Sequence, residues 1–192
     1  MSGRLALLAW AGCGPSAATP PGGLQVEGAV LELASGAQLT AAQATVQPDG
    51  TGAGVTVTAR GTGSPPLDIQ APRSTWDLAA RKTTFEGGVT ATRGDMTLTC
   101  ARLSVTFASR DRVDQAVAEG DVRVVQGERR ASGDRAELDA DTGRVVLTGA
   151  PRIAEGPNQM TGERITLYLE DARVECDRCR LLVDGDALAP RP

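Results

Sequence analysis

The chain has 192 residues, enough for one domain with a continuous core, and carries a formal net charge of -4 with only 3% aromatic residues. Histidine is absent and Lys82 is the only lysine, which excludes histidine-based acid–base chemistry, Ser-His-Asp triads, histidine metal sites and the basic footprint of a nucleic-acid binder. The apolar 41% is mainly Ala, Val and Leu, and 23 Gly and 11 Pro scattered between short apolar runs indicate many turns and short strands.

The N-terminus reads as an address. Arg4 supplies a positive start, Leu5 to Ala11 a short apolar run, and Ala11-Gly12-Cys13 resembles the end of a bacterial lipobox, with Trp10 where Leu is usual. Residues 1–13 are therefore expected to be a lipoprotein-like signal, with Cys13 lipidated and the chain held to a membrane through it. The run is far short of the roughly 20 residues of a spanning helix. Gly14 to Gly23 is rich in Gly and Pro and reads as a flexible tether.

From Leu24 onward the period is two. Arg102-Leu103-Ser104-Val105-Thr106-Phe107, Arg135-Ala136-Glu137-Leu138-Asp139-Ala140 and Arg164-Ile165-Thr166-Leu167-Tyr168-Leu169 alternate polar and apolar, so the apolar members share one face and the arginines take the other. Turn signals lie between: Arg93-Gly94-Asp95, Gln126-Gly127-Glu128, Asp141-Thr142-Gly143 and Glu155-Gly156-Pro157-Asn158. Short turns make successive strands antiparallel.

A degenerate phrase, small–x–Arg–apolar–x–apolar, recurs. Copies begin at Ala71, Cys100, Gly133 and Gly162, with a fainter one at Ala41 in which Gln43 replaces Arg, so the steps are 30, 29, 33 and 29 residues. Gly87-Gly88-Val89, Gly120-Asp121-Val122 and Gly149-Ala150-Pro151 lead into three of them, ending 11 positions ahead of the phrase. About five stacked repeats predict an all-β antiparallel domain over residues 24–183, with an elongated core between two sheets or two halves of a folded one. Residues 184–192 read as a disordered tail. The scarcity of aromatics implies either a thin core or a groove left open for an apolar guest.

Gly133-Asp134-Arg135-Ala136-Glu137-Leu138-Asp139, Val145 to Ile153, and Met160-Thr161-Gly162-Glu163-Arg164-Ile165-Thr166-Leu167 together resemble the OstA-like domain of the periplasmic lipopolysaccharide-transport proteins LptA and LptC. The resemblance covers residues 85–176 well and 24–84 loosely. It implies an elongated, folded (V-shaped) antiparallel β-jellyroll whose apolar interior receives lipopolysaccharide acyl chains. It also implies edge-to-edge contact with other OstA-like jellyrolls of a transport bridge that starts at an inner-membrane ABC transporter. An N-terminal anchor before one such domain is closer to LptC, although LptC carries a transmembrane helix and this chain a lipobox-like Cys13. That favours a periplasmic protein lipid-anchored at the inner membrane. No catalysis and no cofactor are expected. A structural envelope protein with a sealed β-core and no cargo is the competing reading.

The groove candidates are Leu103, Val105, Phe107, Val122, Val124, Leu138, Ile165, Leu167 and Leu169. The terminal strands, near residues 24–33 and 174–183, are the candidate joints. Arg73, Arg102, Arg135 and Arg164 lie opposite the apolar face and read as an outward ladder balanced by Asp134, Glu137 and Glu163, in preference to a set of lipid-phosphate ligands. Cys176-Asp177-Arg178-Cys179 lacks the second CxxC that a zinc site needs, so no metal is expected; a local disulfide, or Cys100 bonding one of the pair, remains open. Cys100 could equally be a small buried side chain. Asp139 and Asp141 flank a hairpin turn, where Asp is favoured for its backbone hydrogen bonding, and not a glycosidase centre.

Overall fold

The computed structural model describes residues 24–32, 38–60, 66–108, 113–168 and 173–183. The lipobox-like Cys13, the tether, Leu169 and the C-terminal tail lie outside these residues. Every regular element among them is a β-strand. In chain order these are β1 (Leu24–Glu32), β2 (Gln38–Val46), β3 (Thr51–Arg60), β4 (Leu67–Asp77), β5 (Lys82–Arg93), β6 (Met96–Phe107), β7 (Val113–Gln126), β8 (Arg129–Asp139), β9 (Arg144–Thr148), β10 (Arg152–Glu155), β11 (Asn158–Thr161), β12 (Arg164–Tyr168), β13 (Val174–Asp177) and β14 (Arg180–Leu182). They form one antiparallel 14-stranded sheet in which each of the first eight strands pairs with the next. The core lies between two halves of a single folded sheet, one of the two arrangements that the sequence left open.

The fold line is visible in the backbone. Positive φ occurs at Gly28 in β1, Thr56 in β3, Gly87 and Gly88 in β5, Gly120 and Asp121 in β7, Gly149 and Ala150 between β9 and β10, and Arg178 between β13 and β14. The pairing register shifts at the same places in β5 and β7. An extra left-handed residue in one strand bends it against its neighbour and increases the local twist. Repeated across the sheet, these bends form one crease. The first leaf holds the hairpins that turn at residues 47–50, 78–81 and 140–143, and the second leaf holds those that turn at 94–95, 127–128 and 156–157.

The crease explains the repeated phrase. Its copies lie on the alternate strands β2, β4, β6, β8 and β11–β12, and the small residue sits where the strand crosses the fold line. A Cβ on Gly133 would lie 2.8 Å from the Thr148 carbonyl oxygen, and one on Gly162 would lie 2.8 Å from that of Asp177. The Gly-rich lead-ins are the bent residues of the neighbouring strands. One repeat is one hairpin, and it crosses the crease twice.

Candidate functional site

Alternation places the inner faces of both leaves against each other. On the first leaf the row beside the crease runs through Ala44, Gly54, Ser74, Phe85, Leu103, Ala118, Ala136, Leu147 and Ile165, each the register partner of the next. On the second leaf the corresponding positions include Ala41, Val57, Ala71, Val89, Cys100 and Val122. This floor is closed: Val122 and Ile165 are 0% exposed, Leu147 is 1% and Leu103 is 6%. Further from the crease the walls open. Phe107, Leu98, Val124, Ile153, Met160 and Leu167 are only partly buried against the core. The result is an apolar trough with a packed floor and half-exposed walls.

Eight of the nine groove candidates therefore point into the trough. They divide by depth. Leu103, Val105, Val122 and Ile165 belong to the buried core, so a guest reaches them only if the floor yields. Phe107, Val124, Leu138 and Leu167 stand on the half-buried walls, where a guest can touch them directly. On the opposite wall the sequence reading took Val124 but missed Leu98, Ile153 and Met160 beside it on the second leaf. Alternation in β6, β10 and β11 could have identified them, but all three residues lie outside the repeated phrase that drew attention elsewhere.

Two features mark the N-terminal half of the trough. The Trp76 indole lies across Gly52, where a Cβ would come within 2.3 Å of the ring. The Ser74 hydroxyl is 1% exposed at the residue level and has no hydrogen-bond partner. Ser74 stands where the other copies of the phrase have Leu103, Ala136 and Ile165, and nothing in its surroundings explains a hydroxyl there. A hollow of about 470 Å³ on the first leaf is lined by the outward Thr45, Ala53, Thr75 and Thr84 together with Gly52 and Trp76.

The arginines of the phrase face outward. Arg102 pairs with Glu86 at 2.5 Å, and Arg135 pairs with Glu119 and with Glu137. These ion pairs hold the Arg135 guanidinium above its ordinary pKa, the hydrogen bond to Glu137 being the largest cause. Of the three acids expected to balance the ladder, only Glu137 does so. Glu163 pairs instead with Arg178 at 2.6 Å, because the crease carries it beside the last corner. Exposed pairs of this kind are worth little individually.

The cysteines separate by environment. Cys176 and Cys179 form a disulfide with Cα atoms 5.8 Å apart, joining β13 of the first leaf to the corner that leads into β14 of the second. Cys100 is free and buried, and desolvation pushes its thiol up to about 11. Asp139 accepts a hydrogen bond from the Thr142 amide at 3.0 Å, which holds its carboxyl below the usual range and fits a turn cap. No group of three or more metal-ligating side chains occurs among the described residues.

The fold is thus an open, creased antiparallel β-jellyroll with an apolar interior. Residues 68–173 match the family described as LptA/(LptD N-terminal domain) LPS transport protein, and the chain belongs to that family. The fold is also similar to the crystal structure of LptH, the LptA homologous periplasmic component of the conserved lipopolysaccharide transport device from Pseudomonas aeruginosa. That likeness has a TM-score of 0.59 at 17% identity and covers 64% of this chain and 97% of that one. No curated protein matches the chain.

Proposed function

We propose that this chain is a periplasmic, membrane-anchored member of a lipopolysaccharide export bridge, organised more like LptC than LptA. The domain over residues 24–183 shields acyl chains in its trough. Residues 14–23 tether it to a lipidated Cys13 in the inner membrane, beside an ABC transporter, and residues 184–192 form a tail. Cargo passes to partner jellyrolls that add to the edge strands β1, β13 and β14.

The observation that carries this reading is the graded burial of the inner faces. An acyl chain leaving a bilayer must stay dry, and each CH₂ kept from water is worth about 0.8 kcal/mol. A chain of about a dozen carbons therefore needs an apolar path worth roughly 10 kcal/mol. Phe107, Leu138 and Leu167 on one wall and Val124, Ile153 and Met160 on the other supply such a path, while the packed floor supplies stability.

Site-specific photo-crosslinking tests it. A benzophenone side chain at Phe107 or Leu138 is expected to trap lipopolysaccharide, and one at the outward neighbours Thr106 or Glu137 is not. Absence of adducts from every inner position would instead favour the sealed structural scaffold. Lipidation is tested separately, by the mass of the N-terminal peptide and by release of Cys13→Ser protein from membranes.

A further inference from the structure

The outer face of the second leaf separates charge in a way that the trough does not require. Register defines two outward rows across it. The row nearer the crease runs Thr58, Gln70, Thr90, Thr99, Arg123, Ser132, Arg152, Thr161, Arg180. The outer row runs Arg60, Asp68, Thr92, Thr97, Val125, Arg130, Ala154, Gln159, Leu182 by the same pairings. From β6 to β14 the two rows hold four arginines and no carboxylate.

Arg123 is satisfied by Asp121 at 2.9 Å, a residue of the crease. Arg130, Arg152 and Arg180 are exposed, and among the described residues no carboxylate pairs with them. The first leaf is the opposite case, since Arg102 and Arg135 of its outer row are held by Glu86, Glu119 and Glu137. In a chain of net charge -4, a cationic face of this kind is a local reversal of sign.

We propose that the outer face of the second leaf, from β7 to β14, docks on an anionic phospholipid surface. Charge complementarity selects that occupant. Arginines alternate with hydroxyls along one row, at every second strand, so that successive cations stand about 10 Å apart. An extended sheet of phosphates meets such a repeated array, and the guanidinium fork matches phosphate geometry. Val125 and Leu182, at 40% and 56% exposure, stand beside the arginines and give the same face an apolar component. The trough opens on the inner side of this leaf, so docking leaves its mouth free. The proposal goes beyond cargo binding and does not depend on it.

The test is flotation of the full chain, carrying Cys13→Ala so that no acyl anchor contributes, with vesicles of phosphatidylglycerol in phosphatidylcholine. Binding is expected at low salt and is lost in 0.5 M salt, as screening of exposed charges requires. Each arginine removed weakens it about five-fold, so Arg130→Gln/Arg152→Gln/Arg180→Gln falls roughly a hundred-fold. Arg102→Gln on the first leaf changes it little. The side chains substituted are exposed, and matching melting curves confirm that the variants fold. Equal binding to pure phosphatidylcholine overturns the proposal, as does undiminished binding of the triple variant. Capture by lipopolysaccharide aggregates or by soluble polyglutamate without capture by phosphatidylglycerol vesicles also overturns it. None of these outcomes bears on crosslinking inside the trough.

Discussion

Gly133→Ala tests the account of the crease most directly. The added methyl would sit 2.8 Å from the Thr148 carbonyl oxygen and 3.7 Å from that of Gly149. A relaxed carbon–oxygen contact is about 3.3–3.6 Å, so β8 and the β9–β10 corner must part by roughly half an ångström. The hydrogen bond from the Asp134 amide to the Gly149 carbonyl, now 3.0 Å, spans the same gap. Losing it costs about 1 kcal/mol, and overpacking costs about 1–3 kcal/mol. The smaller conformational freedom of Ala in the unfolded chain returns about 0.4–1 kcal/mol. The net is roughly 2 kcal/mol of destabilisation, which lowers the melting temperature by about 4–8 °C in a protein of this size. Thermal unfolding followed by far-ultraviolet circular dichroism measures it. An unchanged or raised melting temperature would refute the claim that the small residue of the phrase is fixed by the passing carbonyl.

Ser74→Ala removes a buried hydroxyl that makes no hydrogen bond, and a gain of about 1 kcal/mol in denaturant unfolding is expected. Leu147→Ala opens a cavity in a floor that is 1% exposed at that residue, and should cost about 2–5 kcal/mol in the same measurement. The Cys100 thiol should resist alkylation in the folded protein and label only on denaturation. Its folded pKa, about 11, lies above the 9.0 of an ordinary thiol in the unfolded chain, so the unfolded chain loses this proton first as pH rises. The stabilising contribution is thus complete below pH 9.0 and disappears as pH climbs through about 11, and a Cys100→Ala protein should lack that alkaline component of its stability profile. Non-reducing peptide mapping should recover Cys176 and Cys179 joined to each other, with Cys100 as a free thiol.

Much of this architecture was legible because the period of two is strict wherever the phrase occurs. Arg102, Arg135 and Arg164 each precede an inward residue, so the orientation of β6, β8 and β12 followed from alternation alone. The hairpin turns at Gly94, Gly127, Gly143 and Gly156 were equally plain. The depth of a residue in the trough was not legible. Val122 and Val124 have the same side chain and the same parity, yet one lies on the floor beside the crease and the other on the wall. Distance from the crease sets that difference, and the crease depends on backbone dihedrals at residues such as Thr56, Ala150 and Arg178, whose side chains give no sign of positive φ. The ion-pair partners of Arg102 and Arg135 were hidden for a related reason. Glu86 and Glu119 are distant in sequence and become neighbours only through cross-strand register.

Because each repeat is one hairpin that pairs only with the hairpins before and after it, the length of the molecule is not tied to its cross-section. Adding or deleting one unit of about 30 residues would move the end of the trough by two strand spacings, about 10 Å, and leave the floor, the walls and the crease elsewhere unchanged. A scaffold built in this way can be lengthened or shortened by changing the number of repeats, without redesigning its inner faces.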